Sequence, residues 1–191
     1  MSGGGFHVHG PHDHELEHAA QHEPKGMAGQ LAVITAILAT VGAMFAYMGG
    51  ATQANAGLHK NTAAIKKTEA SNQWNYYQAK SNKQNLAELA AELAPEARKP
   101  FYVEEIKRYK TEKAEVMAEA KRLDAESADW DKKSDEQMHQ HHRWAQATTA
   151  LQIAIAMAAI ALLTKKRWLE YGVLGVSAVG MALGAMAWLH F

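Results

Sequence analysis

The stretch LHKNTAAIKKTEASNQWNYYQAKSNKQNLAELAAEL, residues 58–93, decides the fold of this chain. It contains no proline or glycine, and it carries a heptad series at seven-residue steps: Leu58, Ile65, Asn72, Ala79, Leu86 and Leu93. Such a repeat predicts an α-helix that packs one face against another helix. Pro95 and Pro100 follow it, and because proline is poorly tolerated inside a helix, we expect a turn near residues 95–100.

A second helical arm follows the prolines and carries its own apolar stripe. The members of that stripe are Tyr102, Ile106, Tyr109, Val116, Ala120, Leu123, Trp130 and Met138. If the chain folds back at the prolines, Leu86 lies opposite Tyr109 and Ile65 lies opposite Trp130. The sequence therefore predicts an antiparallel, coiled-coil-like hairpin over residues 51–143, with the heptad series as its buried seam. Asn72 makes that seam polar, so we expect other copies or a partner to complete it.

The hairpin holds most of the charge and lies between apolar segments. Residues 51–143 contain sixteen of the twenty Lys and Arg and fifteen of the twenty Asp and Glu. Residues 27–50, 144–163 and 168–191 each hold about twenty consecutive residues with almost no charge, enough to cross a bilayer core as a helix. We therefore predict an all-α membrane protein with three transmembrane helices, a polar tail at residues 1–26 and a basic turn at residues 164–167.

The basic turn and the small residues of the spans predict topology and contacts. Lys165, Lys166 and Arg167 favour a cytoplasmic loop, which puts the N-terminus in the cytoplasm and the hairpin outside. Small residues four apart let helices approach closely. On this basis we predict contact faces at Gly42, Ala46 and Gly50 in the first span, and at Gly180 and Gly184 in the third.

The N-terminal tail is rich in histidine. His12, His14, His18 and His22 include three residues that would lie on one face of a helix, and such tracts could hold Zn, Ni or Cu. Residues 14–18, HELEH, match a zinc-protease pattern. A protease would also need a third ligand and a cleft, and a polar tail supplies neither, so we interpret the match as chance and predict no enzyme and no required cofactor.

Composition excludes several other classes. The net charge of zero argues against a nucleic-acid partner, because such proteins show a basic excess. The chain has no cysteine, which removes disulfides, thiolate catalysis and cysteine-based metal sites. The partners that we expect are the lipid bilayer and either further copies of the chain or a larger membrane protein complex.

Residues 69–81, EASNQWNYYQAKS, are the most distinctive stretch. Trp74, Tyr76 and Tyr77 either pack against the second arm and a neighbouring subunit, or serve as anchors for a partner, and we count Trp130 of the second arm as a further interface residue. Following an apolar span and a Glu/His-rich tail, this motif resembles a widespread bacterial family catalogued only as a domain of unknown function. The resemblance covers the tail, the span, the helical insert and the two closing spans. It implies a bacterial inner-membrane location and brings no established activity.

Two functions remain open at this point. The first is a non-enzymatic membrane protein that self-associates or serves as an accessory subunit, through its hairpin and the small-residue faces of its spans. The second is a membrane protein that binds or handles metal with its histidine-rich tail.

Overall fold

The computed structural model of this protein describes residues 26–189, and over that range the chain is all-α, with no strand. Its helices are α1 (Met27–Leu93), a 3₁₀ turn (Glu96–Arg98), α2 (Lys99–Thr164) and α3 (Arg167–Trp188). The two long helices pack against each other in opposite directions, which confirms the predicted all-α helical hairpin. Residues 50–51 and 143–144, where the sequence suggests boundaries between spans and arms, lie inside α1 and α2.

The turn between α1 and α2 follows from its two prolines. Ala94, which precedes Pro95, is disfavoured from continuing the helix, and α1 ends one residue earlier at Leu93. Pro95 is extended (φ −56°, ψ 148°) and begins the 3₁₀ turn. Pro100 lies in the first turn of α2, where the missing N–H would have had no partner inside the helix.

The chain divides into two compact units. The terminal unit comprises the described residues of Met1–Gln53 and Met138–Phe191, and the hairpin unit comprises Ala54–Gln137. The core of the terminal unit consists of small and aliphatic residues from all three helices: Leu31, Leu38, Leu151, Ala154, Ala158, Ala161, Leu169 and Val173. Many of its exposed positions are also apolar, for example Val33, Ile37, Ile153, Ile160, Leu174 and Val179. Its helices thus carry apolar residues on their outer faces as well as in the core.

All three helices contain a segment long and apolar enough to cross a membrane. The α2–α3 turn between two of these segments contains only Lys165 and Lys166. Lys165 adopts a left-handed conformation (φ 52°), and its N–H bonds to the carbonyl oxygen of Ala161, which closes the last turn of α2. Lys166 is extended and precedes the first residue of α3.

In the hairpin unit, mostly small buried residues line the contact between α1 and α2, and we call this contact the inner seam. On α1 its buried members are Ala56, Ala63, Ala70, Gln84 and Ala87, and on α2 they are Ala120, Leu123, Ser127 and Ser134. Ser127 Oγ donates to the carbonyl oxygen of Ala63 (2.9 Å), and Ser134 Oγ donates to that of Ala56 (2.8 Å). A serine can reach the backbone of the facing helix only if the two helices approach closely, and alanine permits that approach.

The prediction that Leu58, Ile65, Leu86 and Leu93 form the buried seam is wrong. These four residues are all at least half exposed, and Asn72 and Ala79 of the same series are exposed as well. The heptad spacing exists, since Ala56, Ala63 and Ala70 also recur at seven-residue steps, but a different face of α1 is buried. The register is also displaced, because Trp130 packs on His59, six residues before Ile65. The physical reason is that a closely packed helix pair buries its smallest side chains, whereas a heptad series of leucines marks only a face that is apolar.

Candidate interaction surface

The aromatic motif on α1 contacts α2 through its tryptophan. The Trp74 indole Nε1 donates to Asp124 Oδ2 (2.8 Å), and Lys67 Nζ donates to Asp124 Oδ1 (2.8 Å). These two hydrogen bonds, that of Lys67 first, lower the pKa of the Asp124 carboxyl below its ordinary value. The Asp124 carboxylate of α2 therefore fixes the position of the Trp74 ring on α1.

Tyr76 and Tyr77 have different surroundings. The Tyr77 ring meets the Trp74 ring edge to face, with centroids 5.8 Å apart, and Lys113 Nζ lies 5.5 Å from its centroid. Tyr76 is 51% exposed and has Lys80 Nζ 5.0 Å from its ring centroid. Of the three aromatics in the motif, Tyr76 is the one with a large surface left for another molecule.

Lys80 forms another polar contact between α1 and α2. Its ammonium is hydrogen-bonded to Glu112, and this bond raises the pKa of Lys80 and lowers that of Glu112. The Lys80 side chain is only 15% exposed, and the Tyr109 ring centroid lies 5.7 Å from its Nζ. The Lys80 ammonium lies against two tyrosine rings, those of Tyr76 and Tyr109. Because Lys80 is on α1 and Glu112 is on α2, the ion pair contributes to the pairing of the two helices.

Trp130 is half-buried beside the inner seam. Its ring centroid lies 5.3 Å from that of His59 on α1, and Lys133 Nζ lies 4.3 Å from the Trp130 centroid. Lys60 Nζ also donates to Asp131, the next residue along α2. Trp130 thus contributes to the hairpin itself, as Trp74 does.

The small residues of the spans fall into two groups. A Cβ added at Gly180 would lie 2.7 Å from Leu151 Cδ2, and one added at Gly184 would overlap the Phe45 ring, so both glycines are used within the chain. Gly42 is buried, with Leu151 Cβ at an ordinary 3.9 Å from such a Cβ. Ala46 and Gly50 are exposed, and a Cβ at Gly50 meets nothing within 4 Å.

One close helix contact in the terminal unit is not apparent from the sequence. Trp144, which has the position of a membrane-interface residue in the sequence, is 2% exposed. Its ring packs on Phe45 (5.2 Å between centroids), and its Cβ lies 3.4 Å from where a Cβ of Gly49 would be. His141 Nδ1 donates to the Gly49 carbonyl oxygen (2.8 Å), so α1 and α2 lie close together at this point.

The predicted metal ligands His12, His14, His18 and His22 lie outside the described residues. Between residues 26 and 189, no three His, Asp or Glu side chains are grouped closely enough to hold a metal ion. This statement does not extend to the tail.

The exposed heptad series belongs to a longer uncharged face of α1, which we call the outer stripe. Its first set comprises Leu58, Ile65, Asn72, Ala79, Leu86 and Leu93, and its second set comprises Asn61, Thr68, Asn75, Asn82 and Leu89. Together these positions alternate in steps of three and four residues, and each of them is exposed. All eight Asp, Glu, Lys and Arg residues between positions 58 and 93 lie elsewhere on the helix. The charge-free pattern is visible in the sequence, but its position opposite the inner seam is not.

Neither a curated protein nor a solved structure matches the chain. The family model described as Domain of unknown function (DUF4337) matches residues 27–190, and the chain therefore belongs to that family.

Proposed function

We propose that this protein is a non-enzymatic integral membrane protein of the bacterial inner membrane. It self-associates or serves as an accessory subunit of a larger membrane complex, and its hairpin unit provides the assembly surface. The family carries no assigned activity, so the proposal depends on the physical character of the two units.

The observation that carries the proposal is large apolar surface on both units. In the terminal unit, residues such as Val33, Ile37 and Ile160 are exposed on helices that are long enough to cross a bilayer. Lipid would cover them without further cost. In the hairpin unit, Leu58 and Leu86 are each 65% exposed. These leucines lie on the outer stripe together with Ile65, Leu89 and Leu93, so a row of exposed apolar residues crosses a highly charged unit, which is typical of a protein interaction site.

The orientation that we propose follows from the α2–α3 turn. Lys165, Lys166 and Arg167 would remain in the cytoplasm under the positive-inside rule. With three spans, the N-terminus is then cytoplasmic, and the hairpin unit lies on the other side of the membrane. A reporter protein fused after residue 191 that is active only outside the cytoplasm should be active, and the same fusion at position 165 should be inactive. The reverse pattern would refute this orientation.

The proposed function is tested by fractionation and sizing of the full chain. We expect the protein to remain in the membrane after an alkaline carbonate wash and to migrate, in mild detergent, as one defined species larger than a monomer. Mass spectrometry of that species distinguishes further copies of the chain from other subunits. A protein released by carbonate, or a monodisperse monomer that purifies with no other protein, would contradict the proposal.

The alternative function, metal handling by the tail, is favoured by the spacing of His14, His18 and His22. Titration of the detergent-solubilised full chain with Zn, Ni or Cu should then give submicromolar binding that is lost when these three residues are changed to alanine. A control changes His139 and His142 to alanine, which should leave the tail affinity unchanged. Millimolar affinity in the unmodified chain would exclude this function.

A further inference from the structure

The outer stripe has the sequence pattern of a second coiled-coil seam. Its two sets alternate three and four residues apart, as core positions of a heptad repeat do. Leu58, Ile65, Leu86 and Leu93 supply apolar contacts toward its ends, and asparagines lie between them. The face of α1 that packs on α2 lies nearly opposite, at Ala56, Ala63 and Ala70, so α2 leaves the outer stripe open. α1 can therefore pack against a second helix without disturbing the hairpin unit.

We infer that the occupant of the outer stripe is the outer stripe of a second copy, in a parallel and in-register pair. This inference rests on the proposed function, because membrane insertion supplies the direction. Copies inserted with one topology are related by a rotation axis along the membrane normal, so their α1 helices run the same way. In a twofold pair of this kind, every residue of the stripe faces the same residue of the other copy.

The asparagines identify a second copy as the occupant. Asn61, Asn72, Asn75 and Asn82 all lie on the outer stripe, and a side-chain amide both donates and accepts hydrogen bonds. In a parallel in-register pair, each asparagine meets its own counterpart, and the two amides can bond to each other. An apolar partner helix would bury the same amides without partners, which is unfavourable. A core asparagine in a two-stranded coil also selects register and the number of strands.

The flanking positions are compatible with that pair. On one side lie Gly57, Ala64, Ser71, Gln78, Asn85 and Glu92, and on the other Thr62, Glu69, Tyr76, Lys83 and Ala90. In a parallel coil, each residue of the first set faces the residue five positions later on the other copy. This brings Ala64 next to Glu69 and Gln78 next to Lys83, and no pair of like charges results. The half-exposed Tyr76 would lie beside the contact and cover part of it.

The area is sufficient for a specific contact. Residues 58–93 form a strip about 50 Å long, and a helix is about 10 Å wide. Each copy would thus contribute about 500 Å², or about 1,000 Å² in all, which is near the lower bound for a specific protein interface. Contacts in the membrane between the terminal units of two copies, for example at the exposed Ala46 and Gly50, would add to it.

Disulfide cross-linking tests the pairing directly, since the chain has no cysteine of its own. Leu58→Cys, Asn72→Cys and Leu86→Cys are each introduced alone into the full chain and oxidised in native membranes. We expect a disulfide-linked dimer from each variant, several-fold more abundant than from the controls Ala118→Cys and Ala125→Cys, which are exposed on α2. Each variant must retain the helix content and membrane fractionation of the unmodified chain.

The outcomes separate the inference from the proposed function. A mixture of Leu58→Cys and Leu86→Cys chains that forms dimers, when neither variant does so alone, would show an antiparallel pair and overturn the inference. Cross-links to a protein of another mass, or oligomers that show no preference for the stripe, would also overturn it, although the membrane assembly itself would stand. A chain found in the soluble fraction, or a monomer in native membranes with no other protein bound to it, would refute both.

A charge substitution provides a second readout that does not depend on oxidation. Asn72→Lys places two ammonium groups face to face at the centre of the pair and should convert the dimer to monomer in mild detergent. Ala118→Lys, an exposed site on α2, is the matched control and should leave the species unchanged. A dimer that persists in Asn72→Lys contradicts the inferred pairing.

Discussion

The α1 side of the inner seam and the outer stripe lie on the same helix, follow the same heptad period and have opposite compositions. The inner seam presents alanines whose side chains are at most 8% exposed, and serines of α2 bond to its backbone carbonyls. The outer stripe presents leucine, isoleucine and asparagine to the surroundings. Small side chains permit close backbone contact within one chain. In the pairing that we infer, the larger side chains of the outer stripe contact a second copy, at a larger separation between helix axes.

Enlarging a residue of the inner seam should have the largest effect. Ala120 is fully buried, so Ala120→Leu forces α1 and α2 apart and should destabilise the fold by about 2–3 kcal/mol. Ala118→Leu, two residues earlier and exposed, should change the unfolding free energy by less than about 0.5 kcal/mol. Thermal unfolding of the full chain in detergent, followed by circular dichroism, measures both. Equal stability of the two variants would show that the seam is not closely packed.

Removing a serine hydroxyl from the inner seam should have a smaller effect. Ser127 is buried and donates to the Ala63 carbonyl oxygen, which also belongs to the backbone of α1. Ser127→Ala should cost about 1 kcal/mol, the usual net value of one hydrogen bond. Ser71→Ala, at an exposed position of α1, is the control and should be close to neutral. Chemical unfolding monitored by helix content compares the two variants. An unfolding free energy that is unchanged in Ser127→Ala would show that this hydrogen bond does not stabilise the fold.

Acid should weaken the links beside the inner seam. The pKa of Asp124 is lowered by its bonds to Lys67 and Trp74, and that of Glu112 by its bond to Lys80. A carboxyl whose pKa is lower in the folded state binds fewer protons there than when unfolded. Its stabilisation is present at neutral pH and is lost as the pH falls below about 4. The melting temperature should fall in that range, and Asp124→Asn should reduce the dependence on pH. If the melting temperature of Asp124→Asn depends on pH as that of the unmodified chain does, the Asp124 carboxyl does not contribute to the loss of stability in acid.

Shortening a residue of the outer stripe should have the smallest effect on the fold. Leu86 is 65% exposed, so Leu86→Ala should change the unfolding free energy of the monomer by less than about 0.5 kcal/mol. The same variant should weaken the pairing of copies, because it removes an apolar contact from both sides of the axis. Unfolding in a dissociating detergent isolates the first effect, and sizing in a mild detergent isolates the second. A large loss of monomer stability would mean that Leu86 belongs to the hairpin core.

On its own, the amino-acid sequence specifies much of this protein. Uninterrupted heptads and a lack of glycine between residues 58 and 93 specify a long helix, and Pro95 and Pro100 specify the turn. The length and apolarity of three segments specify helices able to cross a membrane. These properties depend on local backbone preference and on the composition of short windows, and both can be read directly along the chain.

The tertiary structure alone decided which face of α1 packs on α2. Two faces of α1 carry the same seven-residue period, and the apolar pattern favours the one with leucines. The choice depends on the facing helix. Ala120, Ser127 and Ser134 of α2 allow the two backbones to approach closely, and the alanine face of α1 fits that short distance. In the same way, the burial of Trp144 depends on the neighbouring helix, where Phe45 packs on its ring. Complementarity between distant segments is a property of pairs of surfaces, and the pattern of one segment does not contain it.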